Sequence, residues 1–193
     1  MAATIFLVRH GSHDEVGRVL SGRSGILLNE RGREQARRAG ARLAACGVDA
    51  VWSSPRPRAI ETAGIVARTI GCAIEIVDGL DEIDFGCWTG RAFADLDSNP
   101  AWQRWNAARG VAATPAGETI AQVAARAVAR LETIGAARRI ACVSHCDVIR
   151  AIVAHVIGLD GDRLLSFDCD PGSVTRLQLW RGGGRLLSLN ECG

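Results

Sequence analysis

Apolar residues recur along this chain in two alternating patterns. Short continuous runs occur at Thr4-Ile5-Phe6-Leu7-Val8, Ala50-Val51-Trp52, residues 73–77 and residues 139–143. All four are too short for a helix and predict strands, and the first and last have the composition of buried ones. Between them, apolar positions at helical spacing predict helices near 30–46, 56–70, 117–134 and 147–157. Asn29, with Glu30 beside it, is a candidate N-cap for the first helix, and the prolines at 55 and 57 suit the start of the second. Ser173–Trp180 and Arg185–Leu189 flank Gly182-Gly183-Gly184 and predict a hairpin or sheet edge. Strand and helix in alternation predict an α/β fold: a three-layer sandwich with a mainly parallel central sheet and helices on both faces. No repeat or linker interrupts the pattern. One domain over residues 1–193 is expected, with a lid or insert segment near 81–116, where the pattern is less regular.

Composition narrows the chemistry. The 193 residues carry a formal net charge of +2, which gives no reason to expect a nucleic-acid or acidic-membrane partner. No apolar stretch is long enough for a bilayer, and Arg9 interrupts the first run too early for a signal peptide, so a cytoplasmic protein is expected. The seven cysteines have irregular spacing and no Cys-x-x-Cys pair, as expected for reduced thiols. All 23 cationic residues are arginine. Without lysine there is no Schiff-base, P-loop or kinase-type lysine, so anion chemistry must run on arginine, histidine and backbone amides.

Four segments stand where strands end, the usual place for a ligand in an open α/β sheet. Arg9-His10-Gly11 offers a bidentate anion donor, a nucleophile or base, and a glycine that lets the backbone approach a ligand. Ser53-Ser54-Pro55-Arg56-Pro57-Arg58 turns into a helix whose first turn holds Arg58, where a cation is unfavourable against the helix dipole. That misfit suggests a role, with an ion pair to Glu61 as the plainer alternative. Asp81-Glu82-Ile83-Asp84-Phe85-Gly86-Cys87-Trp88 sets carboxylates among apolar side chains, which raises a carboxyl pKa toward that of a general acid. Val143-Ser144-His145 ends a second buried run in a second histidine. Two histidines, two arginines and an acid on one sheet edge suit phosphoryl transfer.

In order and spacing these segments resemble the histidine phosphatase superfamily, the branch that includes cofactor-dependent phosphoglycerate mutases and small phosphatases. Leu28 through Gln35-Ala36, Thr62-Ala63, Gly90 and Pro115-Ala116-Gly117-Glu118-Thr119 extend the likeness over nearly the whole chain. The resemblance implies that His10 is the nucleophile, that Arg9, Arg58 and His145 hold the phosphoryl oxygens, and that Glu82 is the leaving-group acid. It implies no metal and no cofactor. His10, His13 and Asp14 also have a spacing that permits a metal, but His10 is better explained as nucleophile.

The chain departs from the family at Ser12 and His13, where Glu-Thr is frequent, at Val16, near a frequent asparagine, and at Cys146-Asp147, where Gly-Gly is common. A carboxylate at 147 facing the phosphate would repel it, so Asp147 either points away or selects a cationic or hydroxyl group. Ser21, Gly22 and Arg23 are expected to bind substrate in compensation, with Arg23 as a third guanidinium. The expected activity is hydrolysis of a small phosphorylated metabolite through a phosphohistidine. A phosphoglycerate mutase-type transfer and a non-catalytic phospho-ligand module are the alternatives. Substrate and oligomeric state are not legible.

Overall fold

The computed structural model describes residues 2–192. Its elements are β1 (Ala3–Arg9), α1 (Glu30–Ala44), β2 (Ala50–Ser53), α2 (Pro57–Ile70), β3 (Ile74–Ile76), α3 (Phe93–Leu96), α4 (Pro100–Ala107), α5 (Ile120–Leu131), β4 (Arg139–Ser144), α6 (Cys146–Ile157), β5 (Val174–Trp180) and β6 (Gly183–Glu191). The strands form one six-stranded sheet in the order β3-β2-β4-β1-β5-β6. The first four in that order run parallel, and β5 and β6 add antiparallel to the β1 edge.

The two-residue period of the strands divides the core. Ile5, Leu7, Ile140, Cys142 and Leu177 face one side and pack with Val123, Ala127 and Leu131 of α5 and Ile149, Ile152 and Val153 of α6. Phe6, Val8, Val51, Ala141 and Val143 face the other and pack with Ala39 and Leu43 of α1 and Ala59, Ala63 and Val66 of α2. Both faces of β1 and β4 are therefore covered, which is why those runs carry almost no polar residue. The three-layer α/β sandwich expected from the pattern is the observed architecture.

Helix boundaries follow local capping. The Asn29 side chain accepts from the Gly32 amide, as expected, and Thr119 and Gln122 form a reciprocal capping box that starts α5. The last hairpin is tighter than the glycine cluster suggested. Arg181 and Gly182 make the turn, and Gly183 and Gly184 already pair with Trp180 and Leu179. The irregular segment after Asp81 contains α3 and α4, the latter opened by Asn99, whose side chain caps Ala101 and Trp102, and by Pro100. That start signal is present in the sequence. Phe85, Trp88, Trp102 and Trp105 join edge to face or stacked, with ring centroids 5.3–6.0 Å apart, and extend one half of the core beneath the segment. Among the described residues no helix is long and apolar enough to cross a membrane.

One backbone contact fixes the entry to α1. A Cβ on Gly32 would lie 2.0 Å from the Ser12 carbonyl oxygen, and one on Gly11 would lie 2.3 Å from the Gly32 carbonyl oxygen. Gly11 thus serves the packing of the β1–α1 loop against the helix start, rather than only the approach of a ligand. Helix propensity alone predicts that Gly32→Ala stabilises α1 by up to about 1 kcal/mol. The collision with backbone outweighs this, and we expect a net loss of about 1–3 kcal/mol. Urea denaturation measures the sign directly; a stabilised variant would refute the contact.

Candidate active site

The carboxyl ends of β2, β4 and β1 lie side by side. In register, Arg9 of β1 stands opposite Ser144 of β4, and Ser53 of β2 opposite Val143. One step beyond, the His10 amide donates to the Ser144 carbonyl at 3.0 Å and the Ser54 amide to the Val143 carbonyl at 3.0 Å. Parallel pairing therefore delivers His10, His145 and Ser54 to one edge. The first turn of α2, which follows β2, brings Arg58 to the same place.

Arg58 is only 1% exposed and joins the set together. Its Nε donates to His10 Nε2 at 3.1 Å and its Nη2 to the Gly22 carbonyl at 2.6 Å. The same Nη2 lies 3.1 Å from His145 Nδ1 and 3.6 Å from Glu82 Oε2. Glu61, the plainer partner suggested by sequence, instead accepts from the Leu28 amide and from Arg33.

These bonds assign the protons. Because Arg58 donates to His10 Nε2, that nitrogen presents its lone pair, and His10 Nδ1–H donates to the Gly11 carbonyl at 2.9 Å. Burial first, then the charges of Arg58 and Arg9, hold the His10 pKa well below its ordinary value, so the ring is neutral. His145 is wholly buried, its ring edge-on to His10 at a centroid distance of 5.1 Å. Its Nδ1 accepts from Arg58, leaving Nε2–H to donate to Ser54 Oγ at 2.7 Å. Burial and Arg58 also push its pKa well down. Glu82 stands 3.4 Å from His145 Nδ1 through Oε2, while Oε1 accepts from the Ile83 amide at 3.0 Å. Burial raises the Glu82 pKa to about 8 despite the opposing charge of Arg58. This is the environment expected for a general acid.

A cleft of about 380 Å³ opens over this floor, lined by Arg9, His10, Arg58, Glu82, Ser21 and Gly22 among others. Arg9 donates through Nη1 to the Cys169 carbonyl, and its Nε is buried with no protein partner. His145 lies beneath the lining rather than in it. Ser21 Oγ donates to Glu15, and Gly22 contributes the carbonyl that holds Arg58.

Arg23 is placed differently from expectation. Its guanidinium lies 3.1–3.5 Å from the carboxylates of Asp81, Asp84 and Glu118, its Nε donates to the Glu82 carbonyl, and it does not line the cleft. The third guanidinium in the cleft belongs to Arg109, just after α4, stacked 4.0 Å over Trp105. A fourth, Arg150, comes from α6. Asp147 lines the cleft between them, 3.2 Å from Arg109 and 3.9 Å from Arg150. Asp147 thus does not point away from the cleft, and its carboxylate is paired there with both guanidinium groups. Arg109 was missed because nothing in an irregular segment fixes where a side chain points. The adjacent Trp105, one helical turn earlier, was the available signal. Asp14, the third member of the metal reading, accepts from Asn29. Among the described residues no three His, Cys, Asp or Glu side chains are gathered as a metal ion would need.

Known proteins resemble this chain over nearly its whole length. The chain is 29% identical over 196 aligned residues to phosphoserine phosphatase 1 of Hydrogenobacter thermophilus, covering 96% of this chain and 91% of that one. It is 28% identical over 195 residues to the adenosylcobalamin/alpha-ribazole phosphatase of Escherichia coli, covering 97% and 95%. The solved structure of Bacillus stearothermophilus YhfR superposes with a TM-score of 0.92 at 28% identity, covering 100% of this chain and 98% of that one. A profile of the histidine phosphatase superfamily, branch 1, matches residues 5–192. Matched from its first strand to its last, the chain belongs to the histidine phosphatase superfamily.

Proposed function

We propose that this protein hydrolyses a phosphate monoester of a small metabolite through a phosphohistidine on His10. The observation that carries the proposal is the hydrogen bonding of that ring: Nδ1 lies 2.9 Å from the Gly11 carbonyl oxygen, and Nε2 lies 3.1 Å from the donor Arg58 Nε at the cleft floor, which leaves Nε2 as the nitrogen with the lone pair. When a phosphoryl group enters, the Arg58 donor passes from Nε2 to a phosphoryl oxygen, and Arg9 supplies the unpartnered Nε beside it. Nε2 attacks in line. The phosphorus–oxygen bond to the leaving group breaks as the phosphorus–nitrogen bond forms, and Glu82 gives its proton to the departing oxygen. The bond from Nδ1–H to the Gly11 carbonyl stabilises the imidazolium charge of the intermediate. Water then attacks phosphorus, Glu82 takes its proton, and phosphate leaves with return of neutral His10. His145 holds Arg58 from beneath throughout. The phosphatase names of the relatives above support a small phosphorylated metabolite as substrate, and the seven free cysteines support a reducing, cytoplasmic setting.

Phenyl phosphate tests the nucleophile. We expect metal-independent phosphate release that falls by at least about 10³-fold in His10→Ala, with no acid-labile phosphate trapped on the variant. Full activity in that variant would sink the mechanism.

The acid is tested by pH. With the Glu82 pKa at about 8, kcat on an alkyl phosphate, whose leaving oxygen needs a proton, should fall as pH rises through that value. Glu82→Gln should lower kcat on alkyl esters by about 10²-fold or more, affect phenyl phosphate less, and remove the alkaline limb. Stability must move the same way. The folded pKa lies above the ordinary value of 4.5, so the stabilising contribution of protonated Glu82 is complete below 4.5 and lost as pH rises through about 8. Relative to wild type, Glu82→Gln should be more stable at pH 9 than at pH 5, measured by urea denaturation. A constant difference would contradict the assigned burial of charge.

A further inference from the structure

We infer that His13 is a specificity-determining residue that contacts a hydroxyl group on the leaving-group portion of the substrate. The inference rests on the phosphatase reading and adds to it the chemistry recognised beyond the phosphoryl group. His13 lines the cleft, is only 6% exposed, and its buried Nδ1 has no protein partner. A polar atom so placed is costly unless a ligand satisfies it. Its ring lies 5.4 Å from that of His10, centroid to centroid, so it stands beside the nucleophile, within reach of atoms next to the ester oxygen.

The loop that carries His13 is held on several sides. The Val16 amide donates to the His13 carbonyl at 3.2 Å, Asn29 donates to Asp14, and Ser21 donates to Glu15. The imidazole is therefore presented by a fixed turn. Burial, and then Arg58, lower its pKa to about 4, so it meets a ligand uncharged. Anionic groups are served by Arg9, Arg58, Arg109 and Arg150 in the same cleft. What a neutral imidazole adds is one donor and one acceptor. A hydroxyl can match either tautomer, because it donates and accepts, whereas a carboxylate only accepts and an ammonium only donates.

The test compares two esters that differ by one hydroxyl, 2-hydroxypropyl phosphate and propyl phosphate, with phenyl phosphate as reference. The readout is the ratio of kcat/KM for the first two, which the fraction of folded enzyme cannot alter. We expect wild type to favour 2-hydroxypropyl phosphate by about ten-fold, the worth of one neutral hydrogen bond in a dry site. His13→Ala should bring the ratio to about one, chiefly through KM, and His13→Gln, which keeps a donor and an acceptor, should restore part of it. A wild-type ratio near one, or a ratio unchanged in His13→Ala, overturns the inference while leaving the phosphatase reading intact. Failure of wild type to release phosphate from all three esters overturns the phosphatase reading, and the inference with it.

Discussion

Burying one guanidinium is the constraint around which this molecule is arranged. Arg58 sits in the first turn of α2, where the helix dipole disfavours a cation, and it is almost wholly removed from water. Desolvating such an ion costs on the order of several kcal/mol unless its donors are all used. Each of its three nitrogens has a partner here, among His10, His145 and the carbonyls of Gly22 and Ser24, with Glu82 as counter-charge. The consequence runs outward. The loop at 22–24 must fold over α2 to supply its carbonyls. The two strand-end histidines must turn lone pairs toward Arg58. Burial, with that charge beside it, lowers the pKa of both rings and favours their neutral form.

Glu82 is aimed by a second set of arginines. Its backbone carbonyl accepts from Arg23 Nε and from Arg126 Nη2. Those side chains are themselves braced, Arg23 by Asp81, Asp84 and Glu118, and Arg126 by Glu118 and the Gly79 carbonyl. Arg56 completes the frame on Asp81. Each guanidinium serves several acceptors in a fixed plane, which a lysine ammonium on a flexible stem does not do. A chain without lysine is well suited to this scaffolding. Arg23 stands behind Glu82, and its distance from the cleft follows from the three carboxylates that hold it.

The parts legible in sequence are those governed by local rules. Short continuous apolar runs mark the strands, and parallel pairing converts each strand end into a position on one edge, so His10 and His145 are visible as a pair. Arg58 was visible because it breaks the dipole rule. The opening of α4 is equally legible in Asn99-Pro100, an N-cap followed by a first-turn proline. Arg23 and Arg109 were not legible. Both are arginines in irregular segments, and which of them reaches the cleft depends on where distant carboxylates and Trp105 lie. Asp147 shows the same limit, since its pairing with Arg109 and Arg150 is set by the fold.

The cleft thereby divides into halves of different origin. Its floor comes from strand ends and the first turn of α2, whose positions are set by the sheet ladder and by Arg58. Its walls come from the 12–22 loop and the 81–116 segment, which bring His13, Val16, Phe93, Trp102 and Arg109. A ladder tolerates little change, because a shift of one residue turns every strand side chain to the opposite face. Loops carried on a rigid frame tolerate much more. The departures from family pattern at Ser12, His13, Val16 and Asp147 fall on the walls or just behind them, and none falls on Arg9, His10, Arg58 or His145. The floor is therefore the constrained half of the cleft, and the walls are the half in which side chains are free to vary.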